Sequence, residues 1–353
     1  MISNIQKILH DVLKQAREEQ LFPGCAIGYC RKGEWGSVNF GTLTYDRDSA
    51  KINADTLYDV ASITKSIPTS CLALKYIEEK RLSLDDKIIK YLPEFHNLYR
   101  DEATIFHLLT HTLYYGPAFT LSQHKDKTPE QILQTIYNAE LSQAPGAEHY
   151  YTNINSILLG IILERMAGET LDVLAAKVFF EPLQMNRTTF QPRQFPLDQI
   201  APSEDDPWRG RVVQGEVHDE SAFTLSRKQF VGSAGLFSTV HDLMIFLKML
   251  LQKGVYQKKI FFQEKTIALM HTNQLATIEK NVTLGWELNQ PYMGSHQGPQ
   301  TFGKTGFTGC VIMGDGEKQS GLVILSNHTF PQRKKDKTAR DAFYQKIADI
   351  IFS

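Results

Sequence analysis

Strand patterning confined to the two ends of the chain, with helical spacing between them, is what most constrains its fold. Near the N-terminus, Cys25–Cys30 and Trp35–Gly41 read as short strands joined by the turn Arg31-Lys32-Gly33-Glu34. The pattern returns in Thr283–Leu288, Cys310–Gly314 and Leu322–Ser326, with Gly314-Asp315-Gly316 opening a hairpin turn between the last two. From about Ser62 to Leu251 the apolar residues instead recur at helical intervals, as in Ile67 to Ile77, Ile105 to Thr110, Ile154 to Met166 and Leu243 to Leu251. Short strands bury their apolar faces only by joining a larger sheet, so the two ends must meet. The expected fold is α+β: an antiparallel sheet flanked by N- and C-terminal helices, with an inserted all-helical lobe. Residues 1–61 and 255–353 are assigned to a discontinuous sheet domain and 62–254 to a mainly helical one. A site is expected at their junction.

The terminal helices carry apolar stripes: Ile5, Ile8, Leu9, Val12, Leu13 and Ala16 at one end, Ala339, Phe343, Ile347, Ile350 and Ile351 at the other. Ser3 and Gln6 are placed as a capping box for the first. That segment reads as an amphipathic helix, not a secretory signal, and the longest apolar run, Ile157 to Leu163, is too short to span a bilayer. Four cysteines, Cys25, Cys30, Cys71 and Cys310, lack metal-ligand spacing and read as reduced thiols. The expectation is a cytoplasmic protein without a membrane span, unless a signal segment has been removed. A formal net charge of -1 gives no field to gather nucleic acid. The one basic cluster, Arg333-Lys334-Lys335 with Lys337 and Arg340, reads as a solvated helix start.

Chemistry is concentrated in three short motifs. Ser62-Ile63-Thr64-Lys65 puts a hydroxyl and an ammonium three residues apart, on one face of a helix. A serine becomes nucleophilic when a base takes its proton, and a desolvated lysine beside another cation serves. Pro68 should kink that helix. About one chance Ser-x-x-Lys is expected in a chain of this size. A second does occur, beginning at Ser122 and ending at Lys125, and reads as the chance one. Tyr151-Thr152-Asn153 precedes an apolar helix start, and a tyrosine between two lysines gains acidity enough to act as a base. Lys304-Thr305-Gly306 lies among glycines that permit close backbone approach at a strand edge, where a cation and a hydroxyl suit a carboxylate or an oxyanion.

With these motifs in this order, the chain resembles class C β-lactamases, D-alanyl-D-alanine carboxypeptidases of the same clan, and family VIII esterases. The resemblance runs from Phe22-Pro23-Gly24 through Asp59-Val60-Ala61-Ser62 and His107-Leu108-Leu109-Thr110-His111-Thr112 to Gly303-Lys304-Thr305-Gly306-Phe307-Thr308-Gly309. It implies that Ser62 is the nucleophile, with Lys65 and Tyr151 as its base system. Asn153 would touch Lys65 and the substrate amide, and Lys304 would support Tyr151 and a substrate carboxylate. Thr305 and Gly306 would line the substrate edge, and the backbone N–H groups of Ser62 and Phe307 would form the oxyanion hole. The implied activity is hydrolysis of a small ester, amide or peptide through an acyl-enzyme, with no cofactor and no metal. The alternative is a penicillin sensor or trap that acylates but scarcely turns over. Relatives often continue Thr110-His111-Thr112 with Ser-Gly, whereas here Leu113, Tyr114 and Tyr115 follow. Tyr114 and Tyr115 are therefore expected at the cleft edge, as is His218 in the Val217-His218-Asp219-Glu220 loop. His107 and His111 are spaced like helical metal ligands but read as structural.

Overall fold

The computed structural model describes residues 4–95, 98–116, 121–124, 126–334 and 336–353. Ser3, Lys125 and Lys335 therefore lie outside the described residues, and with them the capping box of the first helix and the second Ser-x-x-Lys. Six strands form one antiparallel sheet: β1 (Gly24–Arg31), β2 (Glu34–Gly41), β3 (Glu287–Leu288), β4 (Phe302–Gly306), β5 (Cys310–Asp315) and β6 (Ser320–Ser326), in the order β2-β1-β6-β5-β4-β3. The N-terminal hairpin thus pairs through β1 with the last strand, Cys25 opposite Ser326 and Cys30 opposite Gly321. The two ends of the chain build one sheet, as the α+β reading requires.

Five helices frame the sheet and the site: α1 (Asn4–Glu18), α2 (Ile105–Thr110), α3 (Asn153–Ala167), α4 (Val240–Leu251) and α5 (Thr338–Phe352). Because side chains alternate across a pleat, Cys25, Ile27 and Tyr29 of β1 share one face with Val311, Met313, Leu322 and Ile324. That face packs on Leu9 and Leu13 of α1 and on Phe343, Ile347 and Ile351 of α5. Each such buried side chain contributes about 1.5–3 kcal/mol of transfer free energy. The opposite face, with Ala26, Ile312, Val323 and Leu325, joins a continuous core with α4 and the central helices. Helix α4 lies close enough that a Cβ on Gly28 would stand 2.4 Å from Met244 Cγ, and one on Gly321 2.8 Å from Leu247 Cδ2.

Two sequence expectations shift. Only Glu287–Leu288 of the stretch beginning at Thr283 is strand, because Gly285 takes φ +87° and the chain turns there, Thr283 N–H donating to the Trp286 carbonyl at 2.9 Å. Conversely, Phe302–Gly306 is a full strand whose glycines hide its alternation. All four cysteines are free and buried. Of the basic cluster, Arg333 is tied to Glu204 and Glu220, and the Lys334 ammonium donates to the Gln20 carbonyl.

Candidate active site

Ser62 stands in a turn one residue ahead of the first helical residue, Ile63. The turn is held from several sides. Asp59 accepts the Ala61 N–H at 2.8 Å on one carboxylate oxygen and the His218 N–H at 2.7 Å on the other. Ala61 has a φ of 46°, a left-handed conformation that a non-glycine residue adopts only where the surroundings impose it. The helix continues to Ile67, where φ -117° and ψ 112° break it ahead of Pro68, the kink expected from a ring that lacks an N–H.

Within this frame the Lys65 ammonium donates to Ser62 Oγ at 3.0 Å and to the Ser233 carbonyl at 2.8 Å, while its side chain is buried. Burial lowers its pKa, with Lys304 adding to the effect and Tyr151 and Asp219 opposing it. Thr152 caps α3, its hydroxyl accepting the Ile154 N–H, which fixes Tyr151 just outside the helix. The Tyr151 ring lies between two cations, 5.2 Å from Lys65 Nζ and 4.3 Å from Lys304 Nζ. Tyr151 is 42% exposed as a residue, yet desolvation of its phenol by the surrounding side chains acts to raise the pKa; Lys304, Lys65 and a hydrogen bond with Ser62 prevail, and it falls below the usual 10.

Lys304 reaches this point from β4. That strand pairs with β3 only at Phe302 and Gly303, so from Lys304 onward the outer edge is not paired within the sheet. Gly306 lets the strand end approach the serine turn, since a Cβ there would stand 2.4 Å from the Val60 carbonyl oxygen. Thr308 locks the approach by donating to the Asp59 carbonyl at 2.6 Å. Phe307 is thereby held beside the serine turn, its ring stacked on His218 with centroids 5.5 Å apart. Burial opposes the charge on Lys304, yet Glu287 and Tyr151 raise its pKa well above the ordinary value.

Other expected residues fall differently. The Asn153 amide donates to Asp219 Oδ2 at 2.9 Å, and Lys65 is held by the Ser62 hydroxyl and the Ser233 carbonyl instead. Tyr115 does not edge the cleft: its apolar ring is buried in the core and its hydroxyl donates to Asn155 Oδ1 at 3.3 Å. Tyr114 is half-buried, edge-on to Tyr150. His218 is buried beneath Phe307, with Nε2 2.8 Å from Glu204 Oε2. His107 caps the start of α2, and His111 sits in a left-handed conformation at its end, so the two do not converge. Among the described residues, no group of His, Cys, Asp and Glu is arranged to hold a metal ion.

Sequence reasoning missed Glu287, the contact that Asp219 makes from the loop already singled out, and the setting of His111. Glu287 ion-pairs with Lys304 through one oxygen and accepts the Tyr292 hydroxyl at 2.8 Å on the other. The His111 ring lies 4.9 Å from that of Tyr151, and burial pushes its pKa far down, so the imidazole is neutral. A cavity of about 190 Å³ opens here, bordered by Lys65, His111, His149, Tyr151, Glu287 and Lys304.

The β-lactamase family model matches residues 9–346. The chain belongs to the β-lactamase family. It is 30% identical to an N-acetylmuramyl-L-alanine amidase of Bacillus subtilis (strain 168), over 90% of this chain and 76% of the relative. A putative D-alanyl-D-alanine carboxypeptidase of Escherichia coli (strain K12) is 32% identical over 83% of this chain and 74% of its own. Two solved structures share the fold. EstCE1, described as a hydrolase with promiscuous acyltransferase activity, superposes with a TM-score of 0.76 at 21% identity, covering 99% of this chain and 98% of its own. Simvastatin synthase from Aspergillus terreus gives 0.74 at 19% identity, covering 100% and 98%. The chain is thus a serine hydrolase of the β-lactamase family. No helix among the described residues is long and apolar enough to cross a membrane.

Proposed function

We propose that this hydrolase cleaves small esters through an acyl-enzyme on Ser62. The observation that carries the reading is the 3.0 Å contact between Lys65 Nζ and Ser62 Oγ, with Tyr151 and Lys304 converging on the same point. The coupled Lys65–Tyr151 pair takes the serine proton as Oγ attacks the carbonyl carbon. Negative charge gathers on the carbonyl oxygen, facing the N–H groups of Ser62 and Phe307. The pair then returns the proton to the departing alcohol, and water repeats the sequence to release the acid. The amidase and carboxypeptidase relatives make amides and peptides the competing substrates.

Esters are favoured on chemical grounds. An alkoxide or phenoxide leaves readily and diffuses away, whereas an opened lactam keeps its amine tethered beside the acyl bond that water must attack. With Tyr115 in the core, the cleft is not narrowed by two tyrosines, and size gives esters no advantage. The test is kcat/KM at one pH for nitrophenyl acetate, nitrophenyl butyrate, nitrocefin and a D-alanyl-D-alanine peptide, a ratio that measures differential transition-state binding. Both esters should exceed nitrocefin and the peptide by tenfold or more, about 1.4 kcal/mol in barrier. Tenfold preference for nitrocefin or the peptide overturns the ester reading.

A further inference from the structure

The family resemblance would set Lys304 against a substrate carboxylate, yet its ammonium is already paired. Glu287 pairs with its ammonium, and the pair is largely withdrawn from water, with Lys304 5% and Glu287 25% exposed. Glu287 is itself held: its other oxygen accepts the Tyr292 hydroxyl at 2.8 Å, and its backbone pairs with Gly303 on the neighbouring strand. Displacing it would break two side-chain contacts and leave a carboxylate without its partner in a poorly solvated place, which is costly. The charges around the cleft are balanced in the same sense. Lys304 faces Glu287, and Lys65 feels Asp219, which also accepts the Asn153 amide. Arg333, whose guanidinium carbon lies 5.9 Å from the Phe307 ring, is tied to Glu204 and Glu220. Lys337, 5.6 Å from the same ring, is exposed, so solvent and salt screen its charge. An incoming carboxylate near Lys304 therefore meets a resident carboxylate of the same sign, an arrangement that selects by repulsion.

We infer that Glu287 is a specificity-determining residue, which occupies Lys304 and biases the site towards substrates without a carboxylate near the scissile bond. This rests on the Ser62 reading above and names the substrate class of that site. Lys304 still serves Tyr151, since its ammonium lies 4.3 Å from the ring centroid while paired. What Glu287 removes is the spare charge that would bind a second anion.

The experiment uses matched aryl esters of one acyl group, one with a phenyl leaving group and one with a 3-carboxyphenyl leaving group. A second pair carries the charge on the acyl chain, butyrate against hemisuccinate. A meta carboxylate changes the leaving ability of a phenol little, so the ratio within a pair reports charge recognition. The wild-type enzyme should prefer the neutral member. Glu287→Gln keeps the side chain's shape and removes its charge. In at least one pair it should shift the ratio towards the anionic member by tenfold or more, mainly through a lower KM for that member, because the contact is made equally in ground and transition states. Tyr292→Phe, which only loosens Glu287, should shift the ratio the same way by a smaller factor, and it supplies the test if Glu287→Gln does not fold. Unchanged ratios in both pairs, with Ser62 still acylated, overturn the role of Glu287 and leave the Ser62 acyl-enzyme reading standing. Unchanged turnover in Ser62→Ala overturns the assignment of Ser62 itself.

Discussion

At the scale of single residues, the site depends on what two cations do to one phenol. Burial alone would raise the Tyr151 pKa, while Lys304 and then Lys65 pull it below the usual 10. Lys65 is shifted down by its own burial, so the two groups titrate together and share macroscopic pKa values. With the deprotonated pair as base, kcat/KM should rise with pH along a limb lying below the pKa of a free phenol. Removing the Lys304 charge leaves burial less opposed, so the sign is upward. Lys304→Ala should move the limb to higher pH and lower kcat/KM at neutral pH by about a hundredfold or more, in the range of general-base effects. Stopped-flow or steady-state ester hydrolysis from pH 5 to 10 measures both. A limb that stays in place in Lys304→Ala contradicts the electrostatic account.

At the scale of elements, the serine turn is held by β4 and by the loop before His218, and Asp59 is the knot. Its buried carboxylate accepts the Ala61 and His218 N–H groups, and its carbonyl accepts the Thr308 hydroxyl. Asp59→Ala leaves two backbone donors without their acceptor, each costing about 1–3 kcal/mol when buried. Urea unfolding should show a loss of roughly 2–6 kcal/mol, with ester turnover reduced even where the protein remains folded. A loss near zero would mean that the turn is held elsewhere. The same elements mark what could be read from the sequence. Ser62 and Lys65 were legible because three residues on one helical segment fix their separation, and β1 and β2 because their turn is local. Glu287 and Asp219 were not. Their partners Lys304 and Asn153 lie 17 and 66 residues away, and only the closed sheet and the docked loop bring them together. Tyr114 and Tyr115 were inseparable on paper. In the irregular backbone after α2 neighbouring side chains diverge, and the Asn155 that claims Tyr115 is 40 residues further on. Strand β4 escaped the alternation pattern because the glycines that make it useful beside Val60 have no side chains to alternate.

At the scale of the whole molecule, the chain leaves its sheet after β2, builds a helical mass, and returns to the sheet with β3 to β6. Ser62 and Lys65 come from the start of the helical stretch, Tyr151 from its middle, and Lys304 from the returning strands. A functional centre assembled this way exists only in the folded protein, which is why three unremarkable motifs acquire meaning together. The central claim, that this assembly activates one serine, is tested most directly by intact-mass and peptide mapping after a fluorophosphonate probe. One adduct per folded chain is expected, on Ser62, lost in Ser62→Ala and retained in Ser122→Ala. An adduct on another residue, or full labelling of folded Ser62→Ala, would contradict it.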